Sequence, residues 1–277
     1  GEARTVGFRS VGNTSVVFKM YLEGEINAAF KPAWQRRPRG YLREVAAYRV
    51  ARLLGLDNVP PVITRRVGKE ELRDGLRGAR VSAWPDFEKL LLWGDDGRVP
   101  GAAVYWVRGM QELGLDSREG IETWAPWLQV HGGAIEKENR ALAADLSNML
   151  AFDYLIGNAD RFSGGNMKGD EQRQRLYIRD HDLAFRQRLS ERAHEALLSR
   201  LLRAERFSRR FFQRLQGLDR KRVEKELGLD PACGDKRERV ILNERQLHGL
   251  FDRRAALLSH ITSLIALHGE DKVLVFP

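Results

Sequence analysis

Asp160 stands in the run Gly157-Asn158-Ala159-Asp160-Arg161-Phe162-Ser163-Gly164-Gly165-Asn166, and Asp180 in Leu176-Tyr177-Ile178-Arg179-Asp180-His181-Asp182-Leu183-Ala184-Phe185. A loop Asp, an Asn a few residues on and a second Asp behind a short apolar run are the residue types that phosphoryl transfer needs. One carboxylate orients the attacking hydroxyl, and oxygen ligands hold divalent cations on the phosphates. Asp160 follows a long apolar helix, so it is placed to serve as base toward an acceptor hydroxyl. Asp180, at the end of its apolar run, is the expected ligand for Mg²⁺ or Mn²⁺. Asp182, two residues on and facing the same way along an extended chain, is its rival. Asn166 offers a neutral oxygen for a second metal, and Gly164 and Gly165 before it permit unusual backbone angles. Taken singly, Asp160 and Asn166 read as turn residues; the ordered set reads as chemistry. Arg161 is expected to hold the loop by ion pairing, and His181 to be local structure.

The cationic side of such a site is expected nearer the start of the chain. Lys31 ends the apolar strand Ala28-Ala29-Phe30-Lys31-Pro32, where its ammonium can neutralise the α- and β-phosphates of ATP. Its partner is expected to be Glu44, which shares a helical stripe with Ala47, Tyr48 and Ala51 and so belongs to a packed face. Glu44 can pair with Lys31 or ligate metal. Lys19, on the preceding strand, is a second candidate for phosphate contact. Gly12-Asn13-Thr14-Ser15 lies between two strands, and the backbone N–H groups of Gly12 and Asn13 are candidates to cover the phosphates. Hairpin turns favour the same residues. There is no Walker A run and no G-x-G-x-x-G. His131-Gly132-Gly133 reads as a loop and Trp124-Ala125-Pro126-Trp127 as packing. The six histidines show no metal-ligand spacing.

These residues need elements to position them. Alternation at Val6 and Phe8, at Val16, Phe18, Met20 and Leu22, and at Ala29 and Phe30 predicts a β-meander over 6–31. Leu42, Val45, Ala46, Val50 and Leu53 predict a helix over 41–54 with Gly55 at its C-cap. Val81, Ala83 and Trp84 suggest a strand, Ala102–Val107 another, and 65–80 and 94–101 read as loop-rich. Helices are expected over 136–156, near 190–204, 207–215 and 219–226, and over 243–268. The acidic motifs fall on a hairpin inside this helical part. The division is a β-rich half over 1–110 and a helical half over 111–277, joined by Val104–Met110.

Composition narrows the class. The 277 residues carry 43% hydrophobic and 31% charged side chains, as a globular chain does, and no apolar run approaches the ~18 residues of a membrane span. Net charge is +9, from 47 Lys and Arg against 38 Asp and Glu. That suits anionic ligands or a solvated Arg-rich surface. Without RNA-binding aromatics or zinc-finger spacing, no stable nucleic-acid partner is expected. Cys233 is the single cysteine, so no internal disulfide forms. This slightly favours the cytoplasm. The chain starts at Gly1, not Met, which leaves a removed leader or anchor open.

Several of these runs together resemble the four-jointed and Golgi casein kinase family, which includes secretory-pathway protein kinases and a glycosaminoglycan xylose kinase. The resemblance runs through Ala29–Pro32, Glu44–Gly55, Val59–Val62, Asp153–Arg161 and Asp180–Phe185, and more loosely through the last helix. It implies an α+β, two-lobed, protein-kinase-like fold with a β-rich N-lobe and a mainly helical C-lobe, ATP lying between them and adenine near Val104–Met110. It also implies that Lys31 contacts ATP phosphates, that Glu44 lies beside the site toward metal, that Asp160 is the base and that Asp180 ligates metal. Asn166 departs from the pattern, standing six residues after Asp160 where kinase-like folds usually place this ligand five after. The lack of disulfides points to a minimal or bacterial relative. The expected activity is transfer of the γ-phosphate of ATP, with Mg²⁺ or Mn²⁺, to a hydroxyl. Ser/Thr of a protein is the leading acceptor, a sugar or glycan the alternative, and a nucleotide-binding pseudokinase the non-catalytic reading.

Overall fold

A computed structural model of the chain describes residues 3–12, 15–227 and 240–277. Asn13, Thr14 and Cys233 lie outside the described residues. The fold is a two-lobed, kinase-like α+β arrangement. By internal contacts the chain divides into two compact units. Unit 1 takes Gly1–Tyr48, Pro60–Val107 and Glu226–Leu242; unit 2 takes Arg49–Val59, Arg108–Lys225 and Asn243–Pro277.

Unit 1 is built on a six-stranded sheet of β1 (Thr5–Ser10), β2 (Phe18–Leu22), β3 (Asn27–Pro32), β4 (Val62–Gly68), β5 (Leu76–Arg77) and β6 (Arg98–Tyr105), in the order β4-β6-β3-β2-β1-β5. The pairs are antiparallel except β1 with β5. Helices α1 (Gly40–Leu54, its residues from Arg49 in unit 2), α2 (Lys69–Gly75) and α3 (Trp84–Leu90) accompany it. The expected meander is present because apolar residues alternate. Phe8, Phe18 and Phe30 share one face, with ring centroids 6.5 Å apart in the Phe8–Phe18 and Phe8–Phe30 pairs, and Phe87 of α3 meets Phe18 at 5.1 Å. Lys31, next to Phe30, therefore faces the other side of the sheet.

Between α1 and β6 the structure corrects the sequence reading. Val81–Ala83 is a 3-10 turn and Trp84 opens α3, not a strand; Pro85, in the first turn of α3, suits a helix start. The stretch 65–80 is mostly ordered as the end of β4, α2 and β5. β6 begins at Arg98, inside the expected loop, and ends at Tyr105. Pro100 and Gly101 hid it. Gly101 is needed because a Cβ there would lie 2.5 Å from the Phe30 ring.

Unit 2 is mainly helical. In chain order it holds β7 (Gln111–Glu112), α4 (Arg118–Trp124), α5 (Arg140–Ile156), β8 (Lys168–Gly169), β9 (Leu176–Tyr177), α6 (Glu191–Leu201), α7 (Arg209–Gln216), α8 (Arg220–Leu227, its last residues in unit 1), α9 (Glu244–His268) and α10 (Glu270–Val273). The side chains of Ser190, Ser208 and Asn243 cap α6, α7 and α9 by accepting from backbone N–H groups of the first turn. The α5 helix is the buried axis, with Leu142, Leu146, Met149, Leu150, Phe152 and Tyr154 in the core. The short β8–β9 hairpin separates the two acidic motifs, as expected. Trp124 is packing: it is fully buried and its indole N–H donates to the Leu115 carbonyl at 2.8 Å. Among the described residues, no helix is long and apolar enough to cross a membrane.

Candidate active site

In unit 1 the structure joins the two charges that the sequence paired. Lys31 Nζ lies 2.5 Å from Glu44 Oε1, and Glu44 is 1% exposed. Ala47 and Ala51 on its stripe are buried as well. A carboxylate this buried needs a cation, so α1 is held to β3 by charge as well as by packing. Lys19 shares the sheet face of Lys31: it pairs with Ala29, two residues before Lys31. Its ammonium stands 4.7 Å from the Trp106 ring centroid and 5.3 Å from that of Tyr21, a cation held by aromatic faces. Gly12 sits at the tight return into β2, its N–H donating to the Val17 carbonyl at 3.3 Å and its carbonyl accepting from Arg80 at 2.6 Å.

In unit 2 the Asp160 loop starts where α5 stops. Gly157 ends the helix in the left-handed region at φ 68°, which suits glycine. The Arg253 guanidinium lies against Gly157 and donates to the Leu155 carbonyl at 2.9 Å. Burial pulls Arg253 down to about 10. Past the turn, Arg161 folds back inside. It is 1% exposed and makes a two-pronged ion pair with Asp153, Nε to Oδ2 at 2.8 Å and Nη2 to Oδ1 at 3.0 Å. Its remaining nitrogen donates to the carbonyls of Asn166, at 3.4 Å, and of Arg179. Asn158 Nδ2 donates to Asp153 Oδ1 at 3.1 Å and to the Asp180 carbonyl at 3.4 Å. One buried knot of Asp153, Asn158 and Arg161 thus ties the Asp160 loop, Asn166 and the backbone at Asp180 together. The sequence reading expected an ion pair from Arg161 but did not name Asp153 for it. The available signal was two carboxylates, Asp145 and Asp153, on the apolar helix α5.

Asp160 itself has no hydrogen bond to its carboxylate among the described residues, while its carbonyl accepts from Ser163 N–H and from Asn166 Nδ2, both at 3.1 Å. A cavity of about 110 Å³ opens beside it, lined by Gly157, Ala159, Leu183, Arg186, Leu189 and Ala193. Arg200 of α6, which the sequence gave no reason to single out, donates to the Ala159 carbonyl at 2.8 Å and stacks 4.4 Å from the Phe162 ring centroid. Burial lowers its pKa, against the pull of Asp153 and Asp160.

Asp180 adopts φ 62°, rare for a residue with a side chain. Arg179 Nη1 lies 2.6 Å from Asp180 Oδ2. Ahead of it, the strand is anchored by Asp145, which accepts from Leu176 N–H and Arg175 Nε, each at 2.9 Å. Burial raises the Asp145 pKa, and those two bonds oppose it. Behind it, Ala184 and Phe185 are buried and the Phe185 carbonyl accepts from Gln246 at 2.6 Å. His181 is local structure, buried edge-on to Phe152 at 5.9 Å. Asp182 is half-buried two residues on.

The donor set fits a metal carried on phosphates. Asn166 Nδ2 donates to the Asp160 carbonyl and Ser163 Oγ, each at 3.1 Å, which turns Oδ1 away as an acceptor. Gly164 at φ 93° and Gly165 at φ 70° take the left-handed backbone between Ser163 and Asn166. No group of three His, Cys, Asp or Glu that could cage an ion occurs among the described residues. Mg²⁺ and similar ions take one or two protein oxygens and complete their shell with phosphate and water.

Comparison with solved structures decides the fold. A Golgi casein kinase structure superposes with a TM-score of 0.69 at 17% identity, over 99% of this chain and 76% of that one. A structure of hydra Fam20 with sugar gives 0.72 at 18%, over 98% of this chain and 88% of that one. This chain has their fold. The Golgi casein kinase with Mn/ADP bound matches likewise, at 0.70 and 17%, over 99% and 76% of the two chains. The resemblance noted in the sequence is thus met at the level of the fold. No protein-family model matches the chain, and no curated protein matches its sequence.

Proposed function

We propose that this protein is a metal-dependent kinase that moves the γ-phosphate of ATP to a hydroxyl. The observation that carries the reading is the buried Arg161 knot. It holds on neighbouring loops a carboxylate without hydrogen bonds, Asp160, and two oxygen ligands, Asn166 and Asp180. Asp160 orients the acceptor hydroxyl and takes up its proton. Asp180 and Asn166 Oδ1 would hold Mg²⁺ or Mn²⁺, which would supply positive charge to neutralise the phosphates. Lys31 balances phosphate charge. Glu44, in contact with Lys31 Nζ at 2.5 Å, orients that lysine and can also turn toward metal. Lys19 adds a further phosphate contact, while the Gly12 N–H is already taken by the Val17 carbonyl, and Trp106 in Val104–Met110 receives the adenine. The fold shared with a kinase solved with Mn/ADP supports the cofactors.

The leading acceptor is Ser or Thr of a protein. The cavity beside Asp160, about 110 Å³, suits one side chain; whole small-molecule sites occupy roughly 300–1,000 Å³. The sugar held by hydra Fam20 favours a sugar or glycan as the second reading. The test is transfer of ³²P from γ-labelled ATP, with Mg²⁺ or Mn²⁺, to dephosphorylated proteins and, in parallel, to free sugars and glycans. Label on protein that is lost with Asp160→Asn supports the leading reading, and label on sugar alone replaces it. Nucleotide binding with no transfer to any acceptor supports the pseudokinase.

A further inference from the structure

Arg179 is out of place for a simple metal site. It precedes the proposed metal ligand, and its guanidinium bridges the two ligand-bearing loops: Nη1 lies 2.6 Å from Asp180 Oδ2, and Nη2 donates to the Gly165 carbonyl at 3.1 Å. A full positive charge thus rests on Asp180, while Asn166 is neutral. The pair brings no net negative charge to a dication, and a metal held by Asp180 would sit within a few ångströms of the guanidinium.

The arginine is also held loosely enough to yield. Arg179 Nε is buried without an acceptor among the described residues, so the pose leaves a donor unsatisfied. Both side chains of the pair keep about a quarter of their surface in solvent, 24% for Arg179 and 26% for Asp180, which leaves room to swing out. Arg161, at 1% exposed and locked on Asp153, has no such freedom.

We propose that Arg179 is a resident counter-cation of Asp180 that competes with the metal, so that a divalent cation binds well only when a nucleoside di- or triphosphate brings negative charge with it. This rests on the reading of Asp180 as metal ligand. It makes the metal and nucleotide a joint ligand, and Arg179 the residue that sets the coupling between them.

The test is Mn²⁺ binding, read from the electron paramagnetic resonance signal of free Mn²⁺, with the whole chain and without ATP turnover. Arg179→Gln and Arg179→Leu, both checked for native thermal unfolding, should each bind Mn²⁺ about tenfold more tightly than the parent without nucleotide, by removing one charge beside the ion. Arg179→Lys, which keeps the charge, should bind as weakly as the parent. With saturating ADP the variants should converge. Equal Mn²⁺ affinity in the parent and in whichever uncharged variants fold overturns the proposal, as does a Lys variant that tightens like Gln. Asp180→Ala separates the two levels. If it abolishes Mn²⁺ binding with ADP, the metal reading stands whatever Arg179 does. If it leaves that binding unchanged, the metal reading itself fails.

Discussion

Lys31 stands on a strand and Asp160 on a loop, and the two are fixed by different means. Lys31 and Glu44 project from β3 and α1, so regular hydrogen bonding fixes their backbones and the ion pair between them helps aim the side chains. Asp160 and Asp180 lie outside any strand or helix. There, arginine donors to backbone carbonyls do the holding: Arg253 on Leu155, Arg200 on Ala159, Arg161 on Arg179. The same device recurs elsewhere in unit 2, where Arg206 reaches the carbonyls of Trp127, Val130 and Gly133, and Arg254 those of Leu215 and Gln216. A guanidinium has five donors in a rigid plane, so one side chain can fix several turns of irregular chain. Part of the excess of arginine that the composition shows is therefore internal scaffolding.

This contrast predicts where activity and stability part company. Asp160→Asn should lower kcat by ~10³ with little change in unfolding free energy, because the carboxylate holds nothing up; single-turnover kinetics beside urea unfolding checks both. Arg161→Met should do the reverse first, costing ~3–5 kcal/mol of stability by leaving Asp153 buried without its cation, read in the same urea titration. Lys31→Met should cost less, ~2 kcal/mol, since Lys31 keeps some solvent contact. The double variant Lys31→Met with Glu44→Leu should be more stable than the Lys31 variant alone, because it also removes the buried carboxylate that has lost its lysine; a double-mutant cycle measures this. Arg200→Met should leave folding nearly intact and the KM for ATP unchanged, yet lower kcat by ~10-fold through misplacement of Asp160. If that variant instead unfolds like Arg161→Met, the two arginines are the same kind of support.

What could be read in the sequence follows the same line. Lys31 and Glu44 were legible because strand alternation and helical spacing are periodic and each put its charge on a definite face. The long helices α5 and α9 were legible for that reason. The segment from Arg65 to Gly101 was not. Its elements are short or interrupted: β5 is two residues long, β6 contains Pro100 and Gly101, and α3 opens on a Trp-Pro pair that resembles a strand in apolar content. In unit 2 the types and order of Asp160, Asn166 and Asp180 are what suggested the proposed chemistry. Their supports did not, because Arg200 and Arg253 reach the loop from helices 40 or more residues away in sequence, Arg200 to Ala159 across 41 residues and Arg253 to Leu155 across 98. No local spacing encodes such a contact. Asp153 was missed although a local signal existed: a carboxylate on the apolar face of a helix calls for a cation, and Arg161 lies eight residues on.

The central claim is that Asp160 and Asp180 serve one phosphoryl transfer. It is tested most directly by following γ-phosphate transfer from ATP, with Mn²⁺ or Mg²⁺, in the parent protein, in Asp160→Asn and in Asp180→Ala, alongside binding of the Mn²⁺–ADP pair. The account predicts transfer in the parent alone, with Asp160→Asn still binding Mn²⁺ and ADP and Asp180→Ala losing the metal. Transfer that survives in Asp160→Asn, or a parent protein that binds no nucleotide, would contradict it.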